Sequence, residues 1–138
     1  MPVKCEYHDN FLTAQAAAAG ALDREVQPCL FDRLDWLEAL HRVAMREKTP
    51  AMLQAKGGKA QGWLPLMQSE SGHLVALANW YNFTWRPVFA FTNNAVERMA
   101  LLRLLAKQAK AHSRRLTLAP LPDEDGSASD VEAAFATT

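Results

Sequence analysis

The chain has 138 residues, 49% hydrophobic and 22% charged, which suits one globular domain burying roughly two-thirds of its surface. Fifteen basic and fifteen acidic residues cancel, so no net field gathers polyanions, and binding of nucleic acid or a charged membrane by phosphate neutralisation is disfavoured. No segment approaches the ~20 apolar residues of a membrane span.

In chain order, VKCEY at 3–7 predicts a short strand. DNFLTAQAAAAGALDREV then reads as a helix capped by Asp9 or Asn10, which Gly20 is placed to end early. Its run AQAAAAGAL lacks the basic n-region of a signal peptide, because Glu6, Tyr7, His8 and Asp9 precede it. A cytoplasmic location is therefore expected. Cys5 and Cys29 are 24 residues apart, and reduced thiols are the simpler expectation for them.

Pro28 breaks the chain before a second helix. Asp32 is placed to cap it, Asp35 adds charge to its first turn, and Trp36 lies near its start. Leu37, Leu40, Val43 and Ala44 form its apolar face, and Pro50 closes the stretch. The period then changes. AMLQAK at 51–56 and AQGWLPLMQ at 60–68 flank Lys56-Gly57-Gly58-Lys59, the signature of a hairpin, with Pro65 expected at an edge or a bulge. A turn at Glu70-Ser71-Gly72 leads to a strand HLVALA at 73–78, and VFAF at 88–91 reads as another.

A long helix follows, with Asn94 and Glu97 at capping-box spacing and Leu101, Leu102, Leu105 and Ala109 on one face. Arg98, Arg103, Lys107, Lys110, Arg114 and Arg115 crowd this region and read as a solvated face. RLTLAPL at 115–121 alternates as a strand, with Leu116 and Leu118 facing one way. PDEDGSAS at 122–129 reads as a loop, and Ser129 and Glu132 box the start of a last helix through Val131, Ala134 and Phe135. The order α, α, β, β, β, β, α, β, α predicts a mixed α/β (α+β) layered fold on one sheet, as a single domain over 1–138.

The catalytic inventory is thin. His8, His41, His73 and His112 form neither HxxxH nor HExxH, no glycine cluster cradles a phosphate, and no metal site is predicted. The chemistry concentrates in ALANWYNFTWRPVFAF at 76–91, which holds half of the chain's aromatic residues. Asn79, Trp80, Tyr81, Asn82, Trp85 and Arg86 offer stacking faces, amides and a fixed cation. Such a set suits a peptide, sugar or other small-molecule acceptor, or a protein interface. Packing into the core is the competing role, expected for at least one side of the strand.

FDRLDWLEALHRV at 31–43, GWLPLM at 62–67, ALANWYNFTWRPVF at 76–89 and AVERMALLRLLAKQAKAHSRRLTLAPLP at 95–122 resemble the N-terminal half of CelD-like and Fem-type double-domain acyltransferases of the GNAT superfamily. In that family a helix opening F-x-x-x-x-W-L-x-A-L precedes a hairpin reading G-x-x-P-L and then a strand–helix–strand unit. The resemblance covers roughly residues 28–138.

The resemblance implies a largely antiparallel central sheet flanked by helices, and transfer of an acyl group from acetyl-CoA or another acyl-CoA to an amine or hydroxyl. The superfamily's carrier-binding stretch, [RQ]-x-x-G-x-[GA], is absent: Thr92-Asn93-Asn94 stands before the long helix. No cofactor is therefore expected on this chain, and no catalytic residue carries over to it. The last helix opens near Ser129 and the sequence stops at Thr138, so the fold is expected to be incomplete at its C-terminus. The chain is read as an acceptor-side half partnered by a second acyltransferase domain or a dimer mate. The alternative expectation is a non-enzymatic interaction module on a degenerate version of the same fold.

Overall fold

The structure, a computed structural model, describes residues 3–78, 85–113, 115–118 and 125–136. Among them lie six strands in one sheet and four helices: β1 Lys4–His8, α1 Phe11–Ala18, α2 Leu34–Ala44, β2 Thr49–Gly57, β3 Ala60–Gln68, β4 Leu74–Ala76, β5 Val88–Ala90, α3 Ala95–His112, β6 Leu116–Thr117 and α4 Ser127–Ala136. The mixed α/β class expected from the sequence is the one observed. No helix among the described residues is long and apolar enough to cross a membrane.

The strands run in the order β1-β2-β3-β4-β6, with β5 also paired to β3. Every pairing is antiparallel except that of β4 with β6, which are parallel and separated in the chain by β5 and α3. Alternation along β2 and β3 divides the interior in two. Ala51, Leu53 and Ala55 with Leu64 and Leu66 pack against Leu101, Leu102 and Leu105 of α3 and Val131 and Ala134 of α4. Met52, Trp63 and Met67 face the other way, against Phe11 and Ala14 of α1 and Leu34 and Leu37 of α2. Gly62 lies under α3, and a Cβ there would stand 3.2–3.3 Å from Phe89, Leu101 and Leu105, so a larger residue would require those side chains to shift.

Several boundaries differ from those the sequence suggests. Ala19 turns left-handed (φ 51°) and ends α1 after Ala18, one residue before Gly20. Only Gly58 of the Gly-Gly pair has positive φ (62°), as the first central residue of a two-residue hairpin loop requires. In α2, Leu37 and Leu40 are buried as expected, but Val43 is 80% exposed and Ala44 is exposed too. Met45, just past the helix, takes the core position instead. Pro50 lies inside β2 rather than at the end of α2.

Pro65 is neither at an edge nor at a bulge. It pairs with Met52 within the central strand β3, and on its other side β3 changes partner, from β5 at residues 61–63 to β4 at residues 66–68. A residue without an N–H fits that gap because no ladder bond is needed there.

The box at the start of α3 forms nearly as read. Asn94 Oδ1 accepts the Glu97 amide at 2.9 Å, and Glu97 Oε1 accepts the amide of Asn93, one residue earlier than the standard pattern, at 2.7 Å. Replacing Asn94 with Ala is expected to cost about 1 kcal/mol, read as a lowered denaturation midpoint with an unchanged m-value.

Candidate functional site

Of the six residues singled out in the aromatic segment, Asn79, Trp80, Tyr81 and Asn82 lie outside the described residues. Trp85 and Arg86 are described, and they part company. Trp85 is 3% exposed within the cluster under α3, and its Nε1 donates to the Pro65 carbonyl at 2.7 Å. The same carbonyl accepts the Leu77 amide at 2.9 Å. Trp85 thus fills the gap in the sheet that the partner change at Pro65 opens. Its ring faces are taken up by core rather than offered to a ligand.

Arg86 carries the site. Its Nε and Nη2 donate to one oxygen of Asp32 at 3.3 and 3.1 Å, and its Nη1 donates to Asp125 at 2.8 Å. Asp32 ends the short 3-10 turn Leu30–Asp32 ahead of α2, and Asp125 stands just before α4. One guanidinium therefore joins the entrance of α2, the approach to β5 and the start of α4. The following Pro87 fixes the backbone on which it is mounted.

The sequence suggests Asp32 as a helix cap, but α2 has no side-chain cap; its carboxylate is spent on Arg86 instead. Ser129 likewise does not open α4. The helix starts at Ser127, whose amide donates to Asp125 Oδ1 at 2.9 Å. Asp125 thereby serves the helix start and the arginine together, one oxygen for each.

Burial shapes the charges. Desolvation pushes the Asp32 carboxyl above its usual range, and the hydrogen bonds and charge of Arg86 only partly counter it. Burial also acts against the Arg86 cation, but Asp32 and then Asp125 outweigh it and hold the guanidinium firmly charged. At the exposed Asp125 the slight burial is outweighed by Ser127, through its amide and hydroxyl, and by Arg86, so the carboxyl sits below its usual range.

A guanidinium has five donors, and these contacts engage three. Among the described residues, two N–H groups of this partly exposed side chain remain for an oxygen acceptor such as a carbonyl or carboxylate. The two aspartates are what sequence reading missed. The signal was present, since an arginine set among aromatics implies an acid partner, although sequence cannot say which acid.

The histidines serve the fold. His41 Nε2 meets the Lys48 carbonyl and its ring stands edge-on to Phe11, while His112 packs at a tilt against Tyr7. Cys5 and Cys29 are unbridged, and burial pushes the Cys5 thiol up. No group of His, Cys, Asp and Glu among the described residues could hold a metal ion. Compared with known families, curated proteins and solved structures, the chain shows no match.

Proposed function

We propose that the chain is an acyltransferase-type domain, GNAT-like in plan, that works on the acceptor side. In this reading an amine- or hydroxyl-bearing acceptor is held by the 79–86 segment and the spare donors of Arg86. The acyl-CoA is carried by a second acyltransferase domain or a dimer partner. The observation that carries the reading is the order and pairing of elements. A 3-10 turn holding Phe31 and the helix α2 with Trp36 and Leu37 precede the β2–β3 hairpin with its Gly62 and Pro65, and then come β4, β5, α3 and β6, with β4 and β6 parallel.

The start of α3 supports the absence of a carrier site. A pyrophosphate binds a helix N-terminus through free amides and a favourable dipole. Here the amides of Asn93 and Glu97 are already bonded, and the Glu97 carboxylate would repel the phosphates. A transfer assay with labelled acetyl-CoA and a panel of amines tests the reading. The 138-residue chain alone is expected to give no labelled product, and measurable transfer by it would contradict the acceptor-side assignment.

A further inference from the structure

The end of the sheet at the β2–β3 turn carries features that neither the core nor Arg86 explains. Ala19 (φ 51°) and Phe91 (φ 58°), the two non-glycine residues with positive φ among those described, line one depression of about 380 Å³ together with Lys56, Gly58, Lys59 and Gln61. Ala19 takes this conformation as the left-handed cap that ends α1, but a bulky residue such as Phe91 in this region is an outlier, and glycine would hold the same backbone without strain. The Phe91 ring is 54% exposed, so the strained backbone presents an aromatic face at the rim instead of filling the core. Strain of this kind collects where a ligand is gripped.

The walls are fixed from beneath by three buried glutamines. Gln54 Nε2 donates to the Ala17 carbonyl at 3.2 Å and to Gln61 Oε1 at 3.1 Å, and Gln61 Nε2 donates to the Ala18 carbonyl at 3.0 Å. Trp63 Nε1 donates to Gln61 Oε1 at 2.9 Å. Gln27 Nε2 reaches the carbonyls of Ala21 and Phe89, both at 3.0 Å. These carbonyls bracket Ala19 and stand two residues before Phe91. A buried amide network with its partners in place rigidifies what it touches.

Charge is arranged here at a cost to the fold. The register sets Lys4 opposite Lys56, and Lys56 opposite Gln61, with Lys59 in the turn. Like charges directly opposite destabilise a sheet, and among the described residues Lys4, Lys56 and Lys59 make no ion pair. Two carboxylates border the same end of the sheet. Glu6 lies 3.3 Å from His8 Nε2, and Glu97 is bonded to the Asn93 amide.

We propose that this hairpin end binds a small aromatic anion, an aryl carboxylate or aryl phosphate, with its ring on Phe91 and its acid group between Lys56 and Lys59. The volume suits one ring and its acid group, at the small end of ligand pockets. The site stands apart from Arg86 and does not depend on the acyltransferase reading.

The test is an NMR titration of the ¹⁵N-labelled chain with phenyl phosphate and with benzoate, controlled by inorganic phosphate and benzyl alcohol. At least one aryl acid is expected to shift the Gly58, Lys59 and Phe91 amides saturably, and which one does so separates phosphate from carboxylate recognition. Each control is expected to bind about tenfold more weakly or worse. Phe91→Gly is expected to raise the melting temperature while weakening the aryl acid about tenfold. Lys56→Gln with Lys59→Gln is expected to weaken binding with the melting temperature unchanged or raised. The proposal is overturned if no saturable shift occurs, if inorganic phosphate binds as well as the aryl acids, or if Phe91→Gly lowers the melting temperature and leaves binding intact.

Discussion

Trp85→Ala is expected to destabilise the fold by about 3–5 kcal/mol. The ring is buried in the main cluster and closes the gap where β3 passes from one partner strand to another, so its removal leaves a cavity that the sheet cannot collapse to fill. For a domain of this size the loss corresponds to a fall of roughly 10 °C or more in melting temperature, a large share of a typical total stability. Trp85→Phe is expected to cost much less. It keeps most of the apolar volume and gives up one hydrogen bond to the Pro65 carbonyl, which retains the Leu77 amide, so the polar part of the loss is about 1 kcal/mol. Urea melts of the two variants check the pair. A loss below about 1 kcal/mol for the alanine variant would show that Trp85 is not part of the core.

Arg86→Gln is expected to lower stability at neutral pH by about 3 kcal/mol, because it leaves the Asp32 carboxylate, nearly buried, without its cation. The sign of the pH dependence follows from Asp32. Burial already raises its folded pKa, so the folded state gains from the protonated form below the unfolded value and loses that gain as pH rises through the folded value. Without Arg86 the folded value rises further, so the deficit of the variant is small in acid and full at neutral pH. Adding Asp32→Asn to Arg86→Gln removes the stranded charge and is expected to recover most of the loss. Denaturant melts of the single and double variants at acid and neutral pH check this. A loss that is the same at both, with no recovery in the double variant, would mean that the ion pair does not organise the junction.

Much of the fold was legible because the strongest local signals agreed with the tertiary structure. The hairpin around Gly58, the capped α3 with Leu101, Leu102 and Leu105 buried, and the order of elements are all set by short-range pattern. What escaped was decided at long range. Asp32 has the chemistry of a cap, but a partly exposed arginine 54 residues away competes for its carboxylate and wins. Pro65 reads as an edge residue, yet a central strand tolerates it where its neighbour changes from β5 to β4. Val43 fits the apolar spacing of α2, but the helix ends one residue later and Met45 takes the place in the core. At the candidate site, the cation Arg86 among aromatics is legible in the sequence, while its pairing with Asp32 and Asp125 is not. The strained rim at Ala19 and Phe91 was invisible, because nothing in a lone Ala or Phe announces a left-handed backbone.

The acceptor-side acyltransferase role proposed above requires that this chain does not itself hold the carrier. Acetyl-CoA titrated calorimetrically into the gene product purified from its own cell, and separately into the 138-residue chain, tests it most directly. The account predicts saturable binding to the native gene product and none to the chain alone. Binding by the isolated chain would place the carrier site on residues read here as excluding it. Absence of binding by the native product would contradict the acyltransferase reading and leave the interaction module in its place.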